Sequence, residues 1–202
     1  MLYNSLVQYS DQFAFLNLFR YITFRTGGAL ITALIISFVC GPFIINWLKR
    51  NQKKGQPIRE DGPESHLITK VGTPTMGGVM ILLALVLSTF LWADLSNGFI
   101  WATIGVTVGY GLIGFVDDYI KVTQQNSRGL SGKLKLILQF LIAITATIYI
   151  VSFIEGPLAT SLAIPFFKSV LIDLGWVFII FSSLVMVGSS NAVNLTDGLD
   201  GL

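Results

Sequence analysis

Long apolar runs, broken by short clusters of polar residues, glycine and proline, set the pattern of this chain. A helix needs about 20 apolar residues to cross the hydrocarbon core of a bilayer. Five windows satisfy that requirement, at roughly 28–48, 76–94, 99–116, 134–154 and 170–190. Each is bounded by punctuation: KRNQKKGQP follows the first, DLSNG separates the second and third, and EGP and IPFFK lie between the fourth and fifth. Glycine and proline also occur inside several windows, where membrane helices tolerate them better than soluble ones do. Residues 11–26, DQFAFLNLFRYITFRT, mix aromatics with Arg20 and Arg25, the composition of an interfacial segment ahead of the first span. There is no internal repeat and no low-complexity tract. The pattern predicts an all-α, polytopic membrane protein with about five transmembrane helices, forming a single transmembrane domain over residues 1–202.

Composition sharpens this picture. Of 202 residues, 53% are hydrophobic and 12% charged, against roughly 25% charged in average soluble domains; the mean hydropathy is +0.72. A net charge of +2, with no basic patch interleaved with stacking aromatics, excludes nucleic acid as a partner class. The single cysteine, Cys40, lies within an apolar run, so no intrachain disulfide is expected and a packing role is. The start, MLYNSLVQYSDQ, lacks a basic region followed by an apolar stretch and a small-residue cleavage site, so no cleavable signal peptide is expected.

The basic residues predict an orientation. Lys49, Arg50, Lys53, Lys54, Arg59 and Lys70 fall in the 49–70 loop, and Lys121, Arg128, Lys133 and Lys135 in the 117–135 loop. The 95–98 connection has no Lys or Arg, and 155–169 has only Lys168. The positive-inside rule places both basic loops in the cytoplasm and the N-terminus outside. Alternation through five spans then brings the final stretch, GSSNAVNLTDGLDGL, to the cytoplasmic face as well. Every polar constellation is thereby expected on one side of the membrane.

In GYGLIGFVDDYIKV (109–122), Asp117 and Asp118 are adjacent. Neighbours on a helix point about 100° apart, so both address one spot only where the helix is ending. Two carboxylates converging there suit Mg2+, which takes one or two of them together with water and substrate phosphate. Alternatively, a cation or nearby lysine balances both charges and leaves one acid to act as a base. The plainer reading is a pair of solvated acids marking where the span leaves lipid, although acids at a helix C-terminus oppose the macrodipole.

Asn191, Asn194, Asp197 and Asp200 recur every three residues in NAVNLTDGLD, and Gly198 and Gly201 predict that the helix yields to a loop whose amides can approach a nucleotide or phosphate. The plainer reading is a polar helix end with Asx turns. GTPTMGG (72–78) reads as a shaped loop running into a helix N-terminus, with Lys70 just before it able to present a point charge to a phosphate. Lys133 and Lys135 flank the fourth span, where positive-inside anchoring is the ordinary role. His66 is expected to be a solvated loop residue.

Together, DGPESH (61–66), GTPTMGG (72–78), GFVDDYIKV (114–122) and NAVNLTDGLDGL (191–202) resemble, in order and across essentially the whole chain, the phospho-N-acetylmuramoyl-pentapeptide transferase family, translocase I of bacterial peptidoglycan synthesis. That family belongs to the polyprenyl-phosphate sugar-1-phosphate transferases. The resemblance implies a Mg2+-dependent, multi-pass enzyme of the bacterial cytoplasmic membrane whose active site faces the cytoplasm. Such an enzyme moves phospho-MurNAc-pentapeptide from UDP-MurNAc-pentapeptide onto undecaprenyl phosphate, giving lipid I and UMP; a homodimer is admitted.

Carried over onto this sequence, the family's aspartate pair falls on Asp117 and Asp118, both in the metal region, with Asp117 the candidate for deprotonating the lipid phosphate. The later acids fall on Asp197 and Asp200, with Asn194 preceding them. Gly198, Leu199 and Asp200 match the border of the uridine pocket, and Lys70 a lysine that reaches it. Thr75 matches a threonine lining the substrate groove. Lys135, by its distance from Gly129 and Leu130, matches a cytoplasmic lysine important for activity, with Lys133 the alternative.

The family normally has ten spans, and its Asn–Pro–Ala and Met–Gly–Asp–x–Gly–Ser stretches and late histidine cluster are not in this sequence. The resemblance therefore implies an N-terminal portion of the enzyme, and catalysis by these 202 residues alone is not to be expected. Two rivals differ in class. A related transferase using UDP-GlcNAc would make a different lipid-linked sugar. An ion-coupled transporter would carry charges near the bilayer midplane and inverted repeats; here the acids cluster at span ends and no repeat occurs.

Overall fold

In a computed structural model of the chain, described over residues 1–52, 74–125, 129–167 and 170–197, the apolar windows form helices. A short α1 (Leu2–Leu6) and two 3₁₀ turns, Val7–Tyr9 and Ala14–Arg20, lead into α2 (Ile22–Asn51). Then follow α3 (Gly78–Trp92), α4 (Gly98–Gln124), α5 (Gly132–Val151) and α6 (Val177–Asp197). Helices α2, α4, α5 and α6 are long and apolar enough to cross a membrane, whereas α3 has only 15 residues. At 1.5 Å per residue α3 is about 22 Å long, short of the roughly 30 Å hydrocarbon core.

The starts of α2 and α6 differ from the sequence expectation. Helix α2 begins at Ile22 rather than near 28, so the end of the aromatic segment is its first turn. There the Arg25 guanidinium lies 4.3 Å from the centroid of the Tyr3 ring, a contact that favours helix over free interfacial chain. At the other end α6 starts at Val177 rather than near 170, because the preceding apolar residues form a hairpin. Strand β1 (Ser161–Ala163) pairs antiparallel with β2 (Leu171–Asp173), in the register Ser161 to Asp173 and Ala163 to Leu171. Asp173 closes it, accepting from the Thr160 hydroxyl at 2.7 Å and from the Gly175 N–H at 2.9 Å. These donors, the hydroxyl foremost, hold its carboxyl below the usual value.

Two compact units are formed, one from Met1–Ile100 with Gly111–Ser131, the other from Trp101–Tyr110 with Gly132–Leu202. In the first, α2 packs along α3. Gly28 makes this approach possible, since a Cβ there would stand 2.5 Å from the Trp92 ring. The Trp92 indole N–H donates to the Thr32 hydroxyl at 2.9 Å, and its ring stacks on Phe19 with centroids 5.7 Å apart. The N-terminal ammonium donates to the Phe90 carbonyl at 2.8 Å, capping the far end of α3. In the second unit α5 packs on α6 through small residues, with Ala143 fully buried and the Thr147 and Ser182 hydroxyls 3.1 Å apart. The buried Gln139 ties three helices: its carbonyl accepts from the Tyr110 hydroxyl at 3.2 Å, and its side-chain oxygen from Asn191 at 2.8 Å.

This is the packing expected in lipid, where bulky groups face outward and small or hydroxyl-bearing ones mediate helix contacts. Phe38 and Phe43 on α2 are about three-quarters exposed, 76% and 75%. Exposed to water, a face of that kind would carry a large hydrophobic cost; facing hydrocarbon it carries none. The chain is a multi-pass membrane protein.

Candidate functional site

The aspartate pair does not mark the end of its helix, contrary to the expectation from sequence. Helix α4 continues through Asp117 and Asp118 to Gln124 and stops at Gln125, which adopts a left-handed conformation and donates its N–H to the Lys121 carbonyl. The continuation has a local cause. Lys121 follows the two acids at i+4 and i+3, the spacings that bring helical side chains together. Its ammonium lies 2.6 Å from one Asp117 oxygen and 3.3 Å from one Asp118 oxygen. A lysine in the last turn also offsets the macrodipole that would otherwise oppose the acids.

Each carboxylate then uses its second oxygen on a different partner. Asp117 Oδ1 accepts the backbone N–H of Leu130 at 2.7 Å. That contact requires the chain after α4 to fold closely over the acid, and Gly129 permits it: a Cβ there would collide with the Asp117 carboxylate and the Lys121 stem. Asp118 Oδ2 accepts the Thr75 hydroxyl at 2.8 Å. The Asp117 and Lys121 side chains are each only 14% exposed and Asp118 29%, so the cluster sits at a partly sheltered surface.

Thr75 is itself held. Its N–H donates to Gln52 Oε1 at 2.9 Å, and its carbonyl accepts from Gln52 Nε2 at 3.2 Å. Gln52 caps the C-terminus of α2, giving its own N–H to the Leu48 carbonyl. Met76, next along, has φ +72°, which is uncommon for a residue with a side chain. The first unit thus joins the end of α2, the lead-in to α3, the last turns of α4 and the turn at 129–130 in one polar cluster.

Among the residues singled out from sequence, Thr75, Asp117 and Asp118 are brought together here. Lys133 and Lys135 belong to the second unit, in the first turn of α5, the former exposed and the latter half-buried. Asn194 is exposed on α6, whereas Asn191 turns inward to Gln139. Asp197 is the last residue of α6, and its side chain lies outside the described set. Lys70, Gly198, Leu199 and Asp200 also lie outside it, as does His66. Sequence reading missed two members. Lys121 was legible in DDYIK as a helical ion-pair spacing, but the expectation of a nearby lysine beside the acids did not name it and it was assigned to the basic loop. Gln52 carried no signal, being one amide among the polar residues that end the first span.

Among the described residues no group of three or more His, Cys, Asp or Glu could hold a metal unaided. The donor set is nevertheless hard oxygen: two carboxylates and a hydroxyl. Among the described residues each carboxylate oxygen takes one protein donor, which leaves lone pairs free. That suits a small divalent cation which completes its shell with water and substrate phosphate.

Residues 100–202 match the sequence profile of glycosyl transferase family 4. The chain belongs to glycosyl transferase family 4. Its family 4 segment holds Asp117, Asp118 and Lys121, while residues 70–82, which include Thr75, match signature 1 of phospho-N-acetylmuramoyl-pentapeptide-transferase. The chain is 58% identical over 202 residues to the phospho-N-acetylmuramoyl-pentapeptide-transferase of Granulibacter bethesdensis. It is 52% identical over 207 residues to the protein of that name from Maricaulis maris. Both alignments cover all of this chain and 56% of the relative, so this family 4 chain spans little more than half the length of these relatives.

Proposed function

We propose that this chain supplies the aspartate-pair side of a transferase that moves phospho-MurNAc-pentapeptide from UDP-MurNAc-pentapeptide to undecaprenyl phosphate, giving lipid I and UMP. The observation that carries the reading is the cluster of Thr75, Asp117, Asp118 and Lys121 built from the signature segment and the family 4 segment. Identity over the whole of this chain to 56% of each of two proteins of that name supports it.

The chemistry follows from where the cluster lies. One substrate is a water-soluble nucleotide, the other a phosphate on a hydrocarbon tail, and they meet only at the membrane surface. The Asp pair stands about two turns from the end of a helix long and apolar enough to span the membrane, a place suited to a lipid phosphate whose tail stays among the spans. Asp117 takes the proton of the lipid phosphate. The freed oxygen attacks the sugar-bearing phosphorus, a new phosphorus–oxygen bond forms, and the bond to UMP breaks in one direct transfer. Asp117 and Asp118 would hold Mg2+, which when bound would supply countercharge to the diphosphate.

Lys121 fixes the two carboxylates and offsets their charge as the anionic substrates approach. Thr75 orients Asp118 through its hydroxyl. The family resemblance assigns nucleotide binding to Lys70, Asn194, Gly198, Leu199 and Asp200, a further acidic role to Asp197, and neutralisation of phosphate charge to Lys135, with Lys133 the alternative. The active site faces the cytoplasm of a bacterial inner membrane, since both lysine-rich loops are on that side by the positive-inside rule.

The test is Asp117→Asn in the complete enzyme, followed by UMP release and lipid-linked product. Transfer is expected to fall by about 10²–10⁴-fold, with membrane insertion unchanged. Near-normal turnover removes the base role.

A further inference from the structure

Gln52 is 7% exposed, stands at the C-cap of α2, and engages both ends of its side-chain amide with a residue 23 positions away. Its oxygen accepts the Thr75 N–H and its nitrogen donates both to the Thr75 carbonyl, at 3.2 Å, and to the Met76 sulfur, at 3.4 Å. A primary amide that engages both the N–H and the C=O of one residue acts like the partner strand of a two-bond ladder. It fixes position and rotation of that residue together, which a single hydrogen bond does not.

Three features show what the clamp serves. The clamped residue is Thr75, whose hydroxyl is the one that donates to Asp118. The adjoining Met76 is held at φ +72°, a conformation that persists for a side-chain-bearing residue only when its surroundings over-determine it. The clamp also joins the last residue after α2 to the lead-in of α3, so the position of Thr75 is referred to two helices rather than to a loop.

Resting on the function proposed above, we propose that Gln52 is a positioning residue for phosphoryl transfer: by gripping the Thr75 backbone it sets the Thr75 hydroxyl against Asp118 and so fixes one of the two reacting-site carboxylates. It acts through Thr75 and does not touch substrate. A side chain of similar length without the amide removes the grip while retaining bulk, which makes Gln52→Met the informative change.

Two measurements on the full-length enzyme in detergent test this. The first is hydrogen exchange by mass spectrometry over the 74–77 segment. In the wild type the Thr75 amide is protected, and in Gln52→Met that protection is lost; unchanged exchange overturns the proposal whether or not the enzyme is active. The second is a double-mutant cycle on transfer rate. Gln52→Met lowers kcat roughly 10- to 100-fold, with a smaller change in KM for the nucleotide-sugar, and adds no further loss to Thr75→Val. Full activity in Gln52→Met, or losses that multiply in the double variant, overturns it. If Gln52→Met does not accumulate in membranes, Gln52→Leu, which likewise lacks both the acceptor and the donor of the amide, takes its place under the same criteria. Absence of transfer by the wild type sinks the assignment of function, while the exchange result still decides whether the clamp exists.

Discussion

Lys121 does at residue scale what no other described side chain does: it faces two adjacent carboxylates of one helix at once. Removing it leaves two partly buried like charges with nothing between them. Lys121→Met is expected to cost about 1–3 kcal/mol, the penalty for breaking a buried pair reduced for its partial exposure. Asp118→Asn in the same chain should recover much of that loss. Thermal unfolding in detergent checks both; a double variant no more stable than Lys121→Met defeats the account. The acid pair was legible in sequence because adjacent aspartates beside an apolar run are conspicuous. What was not legible was the direction of each oxygen. Asp117 looks to Leu130 and Asp118 to Thr75, 43 residues away, and no local periodicity encodes a contact of that separation. Gln52 was hidden for the same reason.

At the scale of elements, apolar length located the spans and local contacts moved their ends. The Asp pair was read as a terminus because charge is costly in lipid, but the i+3 and i+4 lysine let α4 run on for two further turns. Leu171 and Ile172 were read into the last span on hydropathy alone, whereas Asp173, its Thr160 and Gly175 partners, and the strand opposite make that stretch a hairpin. The tightest approach in the α2–α3 contact depends on the missing side chain of Gly28. Gly28→Ala places a methyl against the Trp92 ring and should cost about 1–3 kcal/mol through overpacking. The readout is the thermal midpoint, with Gly27→Ala as the control because nothing lies within 4 Å of a Cβ at that position. Equal midpoints for the two variants contradict the packing argument.

For the whole molecule, membrane embedding follows from exposed phenylalanine, leucine and isoleucine outside and alanine, serine and threonine at helix contacts. Orientation rests on the lysine and arginine count. With Cys40 replaced by alanine, a single cysteine at Ser96 should react with a membrane-impermeant maleimide from outside intact cells. One at Gln125 should react only after the inner face is opened. Both positions are exposed on the protein, so labelling reports sidedness rather than burial. The reverse pattern inverts the topology.

The brevity of α3 has a further consequence. A rod about 22 Å long is shorter than a hydrocarbon slab of roughly 30 Å, so for α3 to cross, the bilayer beside it would have to thin or the flanking chain to sink. Thr75 lies on that flank, and either adjustment lets water and ionic headgroups reach deeper there than around the longer spans. A dip of that kind would keep a phosphate on a hydrocarbon tail hydrated without its leaving the leaflet.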